Sequence, residues 1–207
     1  MNFLKEQGGR FRSFWRGGYS AEVWRSAAAF LILAIVGFLA CFFSHDLLDY
    51  VMSLVTSVFS SLDITDSSGN LSALSLFLNN LRACAVAIVY GFIPFLYLSS
   101  LVLGMNSLLL GVLAAYYVVN GQSLLLYLAA MLPHGIFELP ALVLSFALGL
   151  YLCGQITRRV KNDAGAMSIP LCLENAGRVY LMFIVPLLAV AAVAETYLTP
   201  RIAGLFL

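Results

Sequence analysis

From Leu81 to Cys153 the chain is almost uninterruptedly apolar, and a tract of that length limits the fold more than any other feature. A helix needs ~20 apolar residues to cross the hydrocarbon of a bilayer, so the tract is long enough for three crossings. Further apolar runs stand on either side, Ala27 to Phe43 before it and about Arg178 to Thr199 after it. Lipid offers the backbone no hydrogen-bond partners, and runs of this length meet that condition as helices. The composition agrees, with 62% hydrophobic and 10% charged residues, against about 25% charged in soluble domains. The expected fold is all-α, a polytopic helical membrane protein of about five spans in the lipid bilayer, near residues 27–43, 81–103, 105–120, 124–153 and 178–199.

Charge orients these spans. Lys5, Arg10, Arg12, Arg16 and Arg25 precede the first, and Arg158, Arg159 and Lys161 follow the fourth; the positive-inside rule puts both groups on the cytoplasmic side. The layout that follows is a basic cytoplasmic segment over 1–26 and a single helical membrane domain over 27–207, with a cytoplasmic loop over 154–177. The protein is then a multi-pass protein of the cell membrane with a cytoplasmic N-terminus. A half-helix ending at Pro133 that re-entered instead of crossing would raise the segment count to six. Residues 44–78 carry Asp46, Asp49, Asp63 and Asp66 and no Lys or Arg, which makes them extracytoplasmic. Within them Leu47, Leu48, Val51, Leu54, Val55, Val58, Phe59 and Leu62 recur at three- and four-residue steps, the mark of an amphipathic helix. Asp63 to Asn70 then reads as a turn. Trp24 and the Tyr116-Tyr117 pair are interfacial anchors by residue type. A formal charge of +1 with no large basic surface excludes nucleic acid as a partner. Cys41, Cys84, Cys153 and Cys172 stand singly, without paired spacing, and read as packing residues.

One run inside the apolar tract carries chemistry: Leu132-Pro133-His134-Gly135-Ile136-Phe137-Glu138-Leu139-Pro140. His134 and Glu138 stand four apart, which puts them on one helix face about one turn from each other. The prolines predict a broken helix at this point, since Pro140 lacks the N–H that would bond back to Ile136. Ionisable groups at bilayer depth are functional candidates by default. Other polar residues lie in or beside the spans: Asn79, Asn80 and Arg82 at the head of the second, Asn106 in the third and Glu195 in the last. Asn79 reads as the N-cap of the second span and Arg82 as a side chain snorkelling to the interface.

Leu78-Asn79-Asn80-Leu81-Arg82, the Asn106 to Gly111 segment, the Pro133 to Pro140 motif and Ala194-Glu195 with Thr199-Pro200 resemble the stage II sporulation protein M family of bacterial and archaeal membrane proteins. The resemblance runs from about Phe77 to Pro200, and departs at Ser107, where the family pattern usually has Gly. It implies an envelope role. In spore formers such proteins work with a peptidoglycan-degrading partner at the septum during engulfment, yet the family also occurs in organisms that never sporulate.

The shared chemistry must therefore come from the site. His134, Glu138 and Glu195 form the candidate metal-ligand set, with Asn80, Asn79 and Arg82 as the supporting polar cluster; Asn106, placed near the inner face, stays outside. Imidazole and carboxylate together suit zinc or another divalent metal. The competing reading is a hydrogen-bonded network in which His134 and Glu138 satisfy each other and Glu195 bonds to Asn80 or Thr196; a proton or ion path is the third. Three functions follow. The first is a dimeric scaffold or assembly partner in envelope remodelling, with an envelope or peptidoglycan-processing protein as partner. An intramembrane metal-dependent enzyme with Glu138 as base is the second, although no HExxH pattern, nucleophile or oxyanion device is visible. The third is a transporter or permease subunit, for which the span count is small and no internal repeat speaks. Reporter fusions should place the N-terminus and residues 154–175 in the cytoplasm and residues 44–78 outside; a cytoplasmic signal from a fusion near Gly69 would overturn this topology.

Overall fold

The computed structural model describes residues 2–60 and 72–206, and every regular element among them is helical. These are α1 (Asn2–Phe14), α2 (Ser20–Phe43), α3 (His45–Ser60), α4 (Ala73–Val89), α5 (Ser99–Val119), α6 (Leu124–Val160), α7 (Ile169–Val179), α8 (Val185–Val193) and α9 (Thr199–Ala203). Wider π turns over Trp15–Tyr19, Tyr180–Ile184 and Ala194–Leu198 join α1 to α2, α7 to α8 and α8 to α9. Five stretches are long and apolar enough to cross a membrane: Lys5–Phe43, Ala73–Tyr90, Ser99–Val119, Leu124–Val160 and Ile169–Ala203. The all-α polytopic membrane fold stands, and α3 is the amphipathic helix; Leu62 and the turn at 63–70 lie outside the described residues.

The boundaries differ from the sequence expectation in instructive ways. Pro133 and Pro140 do not break the fourth span, because α6 runs as one helix of 37 residues through both. Each proline removes one ladder bond, but membrane helices tolerate such gaps where neighbouring groups re-satisfy the freed carbonyls, and the Leu- and Ala-rich flanks favour helix. The real interruption lies at Pro94, inside the expected 81–103 span. Helix α4 ends in a short 3₁₀ turn at Tyr90–Phe92, Ile93 is extended (φ −96°, ψ 104°), and Phe95 and Tyr97 adopt positive φ of 70° and 46°. A residue before proline is pushed out of the helical region, and here the chain turns instead of continuing. Asn79 is not the cap of the second span: α4 starts at Ala73, and the Ser72 hydroxyl accepts from the Ser75 N–H at 3.2 Å. The loop expected over 154–177 shrinks to residues 161–168, since α6 extends to Val160 and α7 begins at Ile169. Residues 2–26 of the basic segment are themselves helical, kinked at Gly18, whose φ of 114° an L side chain rarely adopts.

The chain divides into two compact units. One comprises Met1–Ala29, Leu81–Leu103 and Leu139–Leu187. At its core Tyr19 is fully buried, stacks on Phe14 at 4.8 Å and donates its hydroxyl to the Leu144 carbonyl at 2.8 Å. Gly91 and Gly149 let two backbones touch, and the Ser99 hydroxyl donates to the Ala87 carbonyl at 2.7 Å beside them. Thr157 accepts from the Phe95 N–H at 2.9 Å, which holds the turn after Pro94. The other unit comprises Phe30–Asn80, Gly104–Glu138 and Leu188–Leu207. There Cys41 and Leu48 pack with Val112 and Ala115, flanked by Phe38, Val51 and Met52. All four cysteines are buried and outside any disulfide, as packing residues are.

Within this second unit α2 and α5 approach through glycine. A Cβ on Gly37 would press on the Leu108 backbone at 2.8 Å, and one on Gly111 would overlap the Ala34 carbonyl, whereas Gly104 has open space. Small residues permit such approach in membrane bundles, where association rests on van der Waals packing. Gly111→Ala should therefore cost about 1–3 kcal/mol by overpacking, read as a lower thermal midpoint in detergent. Gly104→Ala, in open space on the same helix, should hold or gain up to ~1 kcal/mol from helix propensity. Equal losses at the two positions would contradict the close contact.

Candidate functional site

His134 and Glu138 lie one turn apart on α6, as their spacing requires. Facing them is the π turn Ala194–Leu198, in which the Thr199 N–H bonds back to the Ala194 carbonyl. Pro200 sits in the first turn of α9, where a missing N–H is no loss. This irregular turn carries Glu195, and Thr199 follows it by four residues. Two helices thus present an (i, i+4) pair each. His134 Nδ1 and Thr199 Oγ1 are 3.2 Å apart and share a hydrogen bond. One ligand atom from each of His134, Glu138 and Glu195 lies within 4.8 Å of the other two, and all three residues are half-buried. The set belongs entirely to the second unit.

The hydrogen bonding differs from the network expected of a purely structural cluster. His134 pairs with Thr199 rather than Glu138, and the Thr196 hydroxyl donates to the Ala192 carbonyl at 3.0 Å rather than to Glu195. Among the described residues neither Glu138 nor Glu195 has a hydrogen-bond or ion-pair partner. Two ionised carboxylates at 4.8 Å would repel by about 3 kcal/mol at an effective dielectric of ~20. A cation between them removes that cost.

The donor set fits a divalent ion. Zinc takes nitrogen and carboxylate oxygen at ~2.0–2.2 Å, so two of its ligands stand at most about 4.4 Å apart, and the larger calcium-like distances of 2.3–2.6 Å reach about 5 Å. The separation of up to 4.8 Å falls inside that range or a few tenths of an ångström from it. Three protein ligands would leave one position open.

The supporting residues are placed less centrally. Asn79 and Arg82 are exposed on α4, and Asn80 is half-buried there; among the described residues no hydrogen bond joins any of them to His134, Glu138 or Glu195. Sequence reasoning left Thr199 outside the site. Its signal was the (i, i+4) spacing from Glu195, which repeats the His134–Glu138 spacing. It also passed over Arg178, 8% exposed, which lies in the stretch Ile169–Ala203 and bonds to Gln7 and Asn175. The (i, i+3) and (i, i+4) steps from Asn175 and Glu174 to Arg178 were legible, but Gln7 is 171 residues away.

A family model for Stage II sporulation protein M matches residues 26–200. No curated protein and no solved structure matches the chain. The match covers well over half of the 207 residues, and the chain belongs to the Stage II sporulation protein M family.

Proposed function

We propose that the protein is a membrane scaffold, an assembly partner in envelope remodelling, that holds a divalent metal ion, zinc foremost, between His134, Glu138 and Glu195. One observation carries the metal: two carboxylates and an imidazole converge within 4.8 Å in spans of membrane length, with no donor or cation on either carboxylate among the described residues. Thr199 would complete the arrangement, engaging His134 Nδ1 and leaving Nε2 as ligand, as the outer partners of metal-bound histidines commonly do. Bound there, the ion would tie α6 to the Glu195 turn. The scaffold role is supported by family membership, and the peptidoglycan-degrading partner is what the sequence resemblance implies for spore-forming members. Intramembrane metal-dependent hydrolysis, with Glu138 as base, has one feature in its favour: an apolar groove of about 640 Å³ lined by Phe137, Ala194, Tyr197 and Arg201, next in sequence to the site carboxylates.

Chelation separates the metal from a structural network. If an ion is bound, stripping it lowers the thermal midpoint of the wild type, by about 2.7 kcal/mol of stability where the ion stood at 100 times its Kd. His134→Ala and Glu138→Gln should bind no stoichiometric metal by elemental mass spectrometry and should ignore the chelator. A metal-free wild type whose midpoint is equally insensitive would falsify the metal reading.

A homodimer belongs to the same proposal. Helix α3 exposes Leu47, Tyr50, Leu54 and Val58, and an apolar groove of about 530 Å³ runs along it, walled also by Met105 and Leu108. It carries no Lys or Arg to attract lipid headgroups, so a second copy pairing through residues 47–62 or the first span is the occupant that buries this face. Light scattering in mild detergent should give a dimer, and Leu54→Glu should shift it toward monomer. A monomeric wild type, together with no cross-linking in native membranes, would count against pairing.

A further inference from the structure

The first unit contains a second polar site, far from the metal candidates in sequence and chemistry. A cavity of about 390 Å³ is lined by Arg10, Phe14, Tyr151, Leu171, Asn175 and Arg178. Two guanidinium groups face it, and no carboxylate does so among the described residues.

Arg178 is the anchor. Its side chain is only 5% exposed, a degree of burial that arginine in a membrane helix shows mostly at functional positions. Its Nε donates to Gln7 Oε1 at 2.9 Å and Nη1 donates to Asn175 Oδ1, so both hydrogen bonds go to neutral amides. The nearest carboxylate, Glu174, forms an ion pair with Arg178 at 3.8 Å from Nη2, too long for a hydrogen bond. Glu174 is half exposed and is already bonded to Arg10 Nη1 at 3.2 Å. Arg10 reaches Glu6 as well, at 2.9 Å. Glu174 thus bridges Arg10 and Arg178, while the cavity lining itself includes the two arginines and neither carboxylate. Gln7 and Asn175 fix the plane of the buried guanidinium, and Asn175 is itself held by Met167 Sδ at 3.4 Å. Tyr151, whose hydroxyl donates to the Gly17 carbonyl at 3.1 Å, and Phe14, edge-on to it at 5.3 Å, supply an aromatic wall.

We infer that this cavity binds a phosphate ester, with the anionic oxygens on Arg10 and Arg178 and the carbon substituent against Phe14, Tyr151 and Leu171. Guanidinium forks match phosphate oxygens in pairs, and a cavity of about 390 Å³ exceeds a bare phosphate and falls in the range of small-molecule sites. The ester can be the headgroup of an acidic phospholipid or a soluble phosphorylated compound. The site stands independently of the His134 cluster.

The test uses the full-length protein in nanodiscs, with thermal unfolding as the readout. In discs of phosphatidylcholine alone, glycerol 3-phosphate should raise the midpoint of the wild type. Arg10→Gln, at a half-exposed position, should need roughly tenfold more ligand, the loss expected for one charge-assisted hydrogen bond. Arg178→Lys, which keeps the charge but loses the fork, should weaken the response likewise. Arg12→Gln, exposed and outside the cavity lining, should respond as the wild type does. A rise only in discs that also contain phosphatidylglycerol, lost in Arg10→Gln and kept in Arg12→Gln, supports the same site with a lipid headgroup as its source. No rise in either disc, or equal losses in Arg10→Gln and Arg12→Gln, overturns the proposal.

Discussion

A chain that lives in hydrocarbon has no solvent to complete its hydrogen bonds, and each feature of this structure is a way of meeting that demand from within. Regular backbone meets it as helix in every described element. Irregular backbone is confined to places where a partner stands ready. The turn after Pro94 is held by the Thr157 hydroxyl, and the Ala87 carbonyl receives the Ser99 hydroxyl. Tyrosines follow the same logic, with buried Tyr19 and Tyr127 and half-buried Tyr180 each donating to a main-chain carbonyl distant in sequence.

Against that background the pair Glu138 and Glu195 stands out. Their neighbours are satisfied: His134 by Thr199, and Thr196 by its own helix. Among the described residues the two carboxylates are not, and a π turn, a device common where function interrupts a helix, carries Glu195 close to Glu138. The arrangement keeps two acidic groups and one imidazole within a few ångströms in a setting where such groups are rare.

Arg178 represents the opposite solution. Its charge is buried, hydrogen-bonded to two neutral amides and ion-paired with Glu174 at 3.8 Å, so the guanidinium is held in orientation. One unit therefore offers converging anionic ligands and the other a preorganised cationic fork. Each is polar chemistry held rigid by helix packing rather than by loops, which favours precise recognition.

The sequence by itself determined the class of fold, because apolar runs of membrane length leave the backbone one economical solution. It also determined the (i, i+4) partnership of His134 with Glu138, since that pairing is a property of any helix. Helix ends were less legible. The 81–103 tract looked continuous by hydropathy, yet Pro94 turned the chain; the 124–153 tract looked broken, yet Pro133 and Pro140 remained inside one helix. Hydropathy does not distinguish these prolines: the chain turns at one and runs on as helix through the other two. Tertiary structure alone decided that Glu195 meets the α6 pair, that Thr199 rather than Glu138 holds the His134 ring, and that Gln7 reaches Arg178 across 171 residues. No periodicity encodes such meetings, because they depend on how glycine contacts like Gly111 against Ala34 set the approach of one helix to another.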